Sequence, residues 1–99
     1  MANKKIVWSK TAFNQFEKAI AFIEVDSLQN SIRFKESILE KIESLISNPE
    51  KFPADKLKTK NDGSYRALEL YHYRISYHVS TSEIRILRVR HTSRKPKPF

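Results

Sequence analysis

Two apolar stripes at helical spacing, separated by only three residues, set the strongest limit on how this chain folds. Phe13, Phe16, Ile20 and Ile23 recur at intervals of three and four, with Ala12 and Ala19 beside them. That spacing predicts an amphipathic helix over about residues 10–24. Ser9 precedes it as an N-cap, its hydroxyl placed to accept from a free N–H of the first turn. Beyond Val25-Asp26-Ser27, Leu28, Ile32, Leu39, Ile42 and Ile46 share one face of a second helix, widened by Ile38 and Leu45, with Phe34 at its edge. Asp26 or Ser27 caps this helix. Asn48-Pro49 ends it, because proline clashes with a helical residue before it. So short a connection turns the two helices into an antiparallel hairpin. Their stripes are broader than a coiled-coil seam, so they need a third surface to cover, and a sheet supplies it.

The remaining segments provide that sheet. Lys5-Ile6-Val7-Trp8 reads as a short leading strand. Residues 49–63 read as a loop that ends in Asn61-Asp62-Gly63, the only glycine standing at the strongest turn signal. Three strand-like runs follow. Tyr65 to Leu70 places Tyr65 and Ala67 on one face and Arg66, Leu68 and Leu70 on the other. Tyr73-Ile75-Tyr77-Val79 alternates with Arg74-Ser76-His78, and Ile84 to Val89 carries apolar residues on both faces, as an interior strand does. The turn joining the first two runs falls near Leu70–His72 and has no glycine. The expected fold class is α+β: a two-helix hairpin on a largely antiparallel four-stranded sheet, in the order β-α-α-β-β-β, as a single domain spanning residues 1–99. The helices cover one sheet face, and the other is expected to be free, polar and basic. The segment from His91 to Phe99 reads as extended.

Charge narrows the function classes. The chain carries 19 Lys and Arg against 11 Asp and Glu, a net +8. Residues 1–55 are close to charge-balanced, so the excess lies in residues 56–99. A small basic domain of this kind favours polyanions: nucleic acid, the ribosome or an acidic protein. The absence of cysteine excludes disulfides, thiolate metal sites and a Cys nucleophile. The three histidines have no ligand spacing, so neither metal nor cofactor is expected. One glycine excludes a Gly-rich phosphate loop. The apolar run Ile6-Val7-Trp8 is too short for a secretory signal, and no run approaches a membrane span. The expectation is a cytoplasmic protein without a membrane partner.

One segment carries most of the candidate chemistry. His72, Arg74, Ser76 and His78 alternate along one strand face. A neighbouring strand is expected to add Arg66, and the closing strand ends in Arg88, Arg90, His91 and Arg94. Arginine offers a planar fork to phosphate oxygens, and Tyr or His can stack on unpaired bases. Lys56, Lys58 and Lys60 in the preceding loop either widen the footprint, Lys58 foremost, or are ordinary solvated lysines. Metal-free RNA cleavage needs a base for the 2′-hydroxyl, a cation for the phosphorane and an acid for the leaving 5′-oxygen. Imidazole titrates near neutral pH and arginine holds developing charge, so His91 and Arg74 are the catalytic candidates. Arg66, Arg90, Arg94 and Lys58 are the phosphate-binding candidates.

The run Tyr73-Arg74-Ile75-Ser76-Tyr77-His78-Val79 resembles the Y-R-(aliphatic)-x-Y-x-V strand of RelE/ParE toxins. The run Val89-Arg90-His91-Thr92-Ser93-Arg94-Lys95-Pro96 is similar to that family's V-x-H-x-x-R-x-P exit. The leading strand, helix hairpin and Asn-Pro helix end match in order, so the likeness covers nearly the whole chain. The resemblance implies the toxin of a type II toxin–antitoxin module, neutralised by a small, acidic or amphipathic cognate antitoxin. It leaves the target open between mRNA on the ribosome, cleaved as RelE-like members do, and DNA gyrase, poisoned without catalysis as ParE-like members do. A nontoxic nucleic-acid-binding domain is the third reading. Under the resemblance Arg74 matches the arginine of the nuclease members, His91 falls near their catalytic histidine, and Arg90 and Arg94 near their C-terminal basic residues. Many of those nucleases place a tyrosine just past the last strand; residues 92–99 here hold none, and the long hairpin leans toward the ParE-like branch.

Overall fold

The structure is a computed structural model that describes residues 4–94 and 98–99. The elements are β1 (Lys5–Trp8), α1 (Lys10–Asp26), α2 (Leu28–Ser44), β2 (Tyr65–Leu70), β3 (Tyr73–Val79) and β4 (Glu83–His91). Their order is the one expected. The sheet runs β1-β4-β3-β2, so β4 is interior, as its two-sided apolar pattern requires. β2, β3 and β4 pair antiparallel. β1 runs parallel to β4, from Lys5 against Glu83 to Trp8 against Ile86, which makes the sheet mixed. Alternation along a strand is the same in parallel and antiparallel ladders, so this pairing left no trace in the local pattern.

Ser27 alone joins the helices. Its backbone N–H donates to Ile23 O, closing α1, and its hydroxyl accepts from Asn30 N at 3.1 Å, opening α2. α1 therefore runs two residues beyond the expected end. Ser9 caps α1 as expected, accepting from Ala12 N at 3.0 Å. α2 stops at Ser44, short of Asn48-Pro49, because Leu45 and Ile46 donate three residues back, to Ile42 and Glu43, and tighten the last turn.

α2 is rotated relative to the stripe read from the sequence. Phe34, expected at its edge, is at its centre with Ile38, Ile42 and Leu45, all at most 2% exposed. The Phe34 ring packs against Phe16 and Tyr73, with centroids 5.8 and 5.0 Å apart. Aromatic burial outweighs three smaller aliphatics here: Leu28, Ile32 and Leu39 are left 38–61% exposed. The core is completed from the sheet by Leu68, Ile75, Tyr77, Ile84, Ile86 and Val89. A bulge lies opposite Ser76/Tyr77, where Arg88 pairs with Ser76 and Ile86 with Tyr77, so that Leu87 is the extra residue.

The β2–β3 hairpin closes through Tyr71 and His72 after the pair Leu70–Tyr73. Both turn residues have positive φ, 52° and 66°. A two-residue turn of this hand matches the twist of its strands but normally takes Asn and Gly.

Candidate functional site

The strand registers sort the candidate residues by face. Arg74 pairs with Glu69 and Arg90, and Ser76 with Ala67 and Arg88. These side chains share the sheet face opposite the helices. Arg66 does not join them. It is paired with Tyr77 and points to the helix side, where Nη1 donates to Phe52 O at 2.8 Å and braces the loop. The alternation that grouped Arg66 with Leu68 and Leu70 already carried this placement, and grouping Arg66 with the phosphate-facing side chains is corrected.

The face itself is not free. Ala54 bridges to Arg66 along the outer edge of β2, and Asp55 N donates to Tyr65 O at 2.8 Å. The loop then turns onto the face, and Phe99 docks beside it: its N–H donates to Leu57 O at 2.8 Å and its carbonyl accepts from Thr59 N at 2.6 Å. Ser76, though polar, is thereby only 2% exposed. The expected extended course of residues 91–99 is met by His91 in β4, while 92–94 form a turn; Lys95 and Pro96 of the exit motif lie outside the described residues.

Beside this cover a cavity of about 290 Å³ remains, lined by Lys56, Arg74, Arg88, Arg90, His91 and Arg94, with Glu69 at its margin. Five cationic side chains surround so small a volume, Arg74 among them being paired with Asp55 and Glu69. Burial, and then Arg90, pulls the Arg88 guanidinium below its ordinary value, with Asp55 opposing. The planar guanidinium forks lining it are of the kind that suits a phosphate.

Arg74 is held by two carboxylates. Its Nη2 donates to Asp55 Oδ1 at 2.5 Å and its Nη1 to Glu69 Oε2 at 3.0 Å. Asp55 is fixed in turn, Oδ1 accepting from Leu57 N at 3.0 Å. Its Oδ2 is buried with no hydrogen-bond partner among the described residues. In the sequence Asp55 is one residue of the loop 49–63. The available signal was that it is the only carboxylate within the lysine-rich stretch 51–60.

His91 stands where β4 ends, its ring edge-on to Tyr73 at 5.0 Å. Ser93 N donates to Nδ1 at 3.1 Å, and the Ser93 hydroxyl lies 2.7 Å from the same atom. Nδ1 is therefore an acceptor, and the neutral ring carries its proton on Nε2. His91, Arg90 and Arg94 also line a second cavity of about 400 Å³ on the helix side, with Lys18, Phe22 and Tyr73. β1 stops opposite Ile86, and past that point side chains meet the outer edge of β4: the Ser9 hydroxyl donates to Leu87 O at 3.2 Å and Gln15 Oε1 accepts from Val89 N at 2.7 Å. His72 lies in the strained turn 6.3 Å from the His91 ring, and His78 packs tilted against Tyr65, away from the cavity. Lys58 is likewise apart, over the Tyr65 ring at 4.7 Å. Among the described residues no group of three or more His, Cys, Asp or Glu gathers to hold a metal ion.

With that geometry in view, the family model for the ParE toxin of the type II toxin–antitoxin system parDE matches residues 6–96. A chain of the chromosomal ParDE TA system from P. aeruginosa superposes with a TM-score of 0.68 at 18% identity, over 91% of this chain and 97% of that one. A chain of the YoeB dimer from Staphylococcus aureus superposes with a TM-score of 0.61 at 22% identity, over 91% and 98%. At these identities the likeness speaks for the fold. No curated protein sequence matches the chain significantly.

Proposed function

The chain belongs to the ParE toxin family of type II toxin–antitoxin systems, and we propose that it arrests growth by cleaving mRNA on the ribosome in its arginine-lined cleft. The convergence of Arg74, Arg88, Arg90, Arg94 and His91 on one cavity carries this reading. A backbone phosphate bound there meets guanidinium forks that stabilise a phosphorane. In this reading Glu69, 56% exposed and paired with Arg74, takes the 2′-hydroxyl proton. Attack of that oxygen on phosphorus breaks the bond to the 5′-oxygen, leaving a 2′,3′-cyclic phosphate, and the 5′-oxygen takes a proton from the imidazolium form of His91, reached when Nδ1 releases the Ser93 N–H and binds a proton of its own. The test is induced expression with Arg74→Ala and His91→Ala as controls, mapping the 5′ ends of ribosome-bound mRNA. New ends that vanish in both variants support cleavage; growth arrest with intact mRNA removes it.

A second reading, poisoning of DNA gyrase without catalysis, is favoured by the restraint on those same groups. Arg74 is neutralised by two carboxylates, and the Nδ1 of His91 is taken by Ser93, so in this arrangement Nε2–H serves as a hydrogen-bond donor. It predicts inhibition of supercoiling by purified gyrase, equal in His91→Ala.

The cognate antitoxin is assigned to the helix-side cavity. An added strand pairs with the outer edge of β4 by displacing Gln15 from Val89 N, Phe22 offers an apolar anchor, and Lys18, Arg90 and Arg94 suit an acidic segment.

A further inference from the structure

Next to the arginine-lined cleft the structure holds a slot filled by a single aromatic ring. The guanidinium carbon of Arg88 lies 4.1 Å from the Phe99 centroid. Tyr65 stands edge-on to Phe99 at 6.0 Å and is backed by His78 at 4.4 Å. The Lys58 ammonium sits over both rings, 4.7 Å from Tyr65 and 5.6 Å from Phe99. A flat cation against one π-face, an aromatic wall at right angles and an ammonium over the rings suit an electron-rich planar ring of any kind. Phe99 brings no polar atom of its own to this slot; only its main chain is hydrogen-bonded, to Leu57 and Thr59.

The slot is continuous with the cleft. Arg88 and Leu57 line the cavity, and the same Arg88 stacks on Phe99 while the same Leu57 holds the Phe99 main chain. A nucleotide whose phosphate lies among the arginines therefore has its base within reach of the Phe99 position. We infer that the slot bounded by Arg88, Tyr65 and Lys58 is a nucleobase subsite that Phe99 occupies in competition with an unpaired base. The inference rests on the reading that the cleft takes an RNA backbone. In this arrangement Phe99 is a plug of the slot alone, which a base displaces while the phosphate lies in the adjoining cleft.

The experiment measures binding by the purified full chain, using a fluorescein-labelled RNA pentamer made uncleavable by 2′-O-methylation and the same pentamer with a central abasic residue. Phe99→Ala is expected to tighten the intact pentamer by about fivefold, a modest share of the stacking worth of one base. The abasic pentamer is expected to bind equally well to both proteins. Weaker or unchanged binding of the intact pentamer, or equal tightening of the abasic one, overturns the inference. Because Phe99→Ala also tests folding, the wild-type protein is followed in parallel by NMR of ring-labelled phenylalanine, with Phe99→Leu assigning the signal. Saturation with the intact pentamer is expected to move the Phe99 signal to that of a free ring; a Phe99 signal unmoved at saturation overturns the plug. Cells in which mRNA stays intact while this competition is measured lose the cleavage reading alone, and the reverse pattern loses the subsite alone.

Discussion

The Nη2 of Arg74 lies 2.5 Å from Oδ1 of Asp55, whose side chain is wholly buried while that of Arg74 is 16% exposed. The most strand-like stretch of the chain is thereby tied to the middle of its longest loop. Breaking a buried pair from one side strands a charge, which costs about 3–5 kcal/mol, whereas removing both partners avoids that penalty. Asp55→Ala and Arg74→Ala are each expected to lower unfolding free energy by about 3 kcal/mol, and the double variant by clearly less than the sum. Urea denaturation of the four proteins checks this; additive losses would show the pair to be uncoupled.

His72 holds φ 66° with no glycine at its position. A non-glycine residue in the left-handed region costs about 1 kcal/mol or more, against up to about 1 kcal/mol of added backbone entropy for glycine. The adjacent Tyr71 is also left-handed but holds the hairpin to Ser37 and Phe34, so His72 is the position to relieve. His72→Gly is expected to raise Tm by a few degrees, about 4–8 °C for each 1 kcal/mol gained in a domain this size. A lower Tm would mean that the His72 ring, beside His91, contributes more than its backbone strain takes away.

Burial raises the Tyr77 phenol above its ordinary value, with Arg66 pulling the other way. A group whose pKa is higher in the folded state supplies stability below its unfolded value, and that stability is lost as pH rises toward the folded value. The wild-type protein is thus expected to weaken from about pH 10 upward. Tyr77→Phe loses the bond to Pro49 O, about 1 kcal/mol at neutral pH, but its stability is expected to fall less steeply above pH 10. Parallel alkaline denaturation profiles would refute the assignment to Tyr77.

How much of this was legible in the sequence follows from which forces are local. Ser9, Ser27, Gly63 and the alternation of β3 act through neighbouring backbone, and each was readable. The rotation of α2 was not, because Phe34 against Leu28, Ile32 and Leu39 is decided by Phe16 and Tyr73, far away in the chain. The parallel pairing of β1 left no local signature. Of the candidate site, Arg74, Arg90, His91 and Arg94 do converge. Arg66 was lost by overriding the alternation that placed it. Asp55 and Phe99 were missed as structural partners because nothing near them in sequence says what a loop will cover.

Phe22 is 69% exposed yet lines the helix-side cavity between α1 and the outer edge of β4. An exposed side chain of this kind contributes little to the isolated fold, so Phe22→Ser is expected to change unfolding free energy by no more than about 0.5 kcal/mol. Under the proposed docking of the antitoxin on this cavity the same ring becomes a buried anchor, and losing such an anchor costs about 2 kcal/mol or more. The Kd for the cognate antitoxin is therefore expected to rise by at least about tenfold. Titration calorimetry against wild type reads the affinity, and Leu39→Ser, an equally apolar but remote position on α2, serves as the control. Unchanged affinity for Phe22→Ser, or an equal loss for Leu39→Ser, would move the antitoxin off this cavity and onto the uncovered ridge of the hairpin.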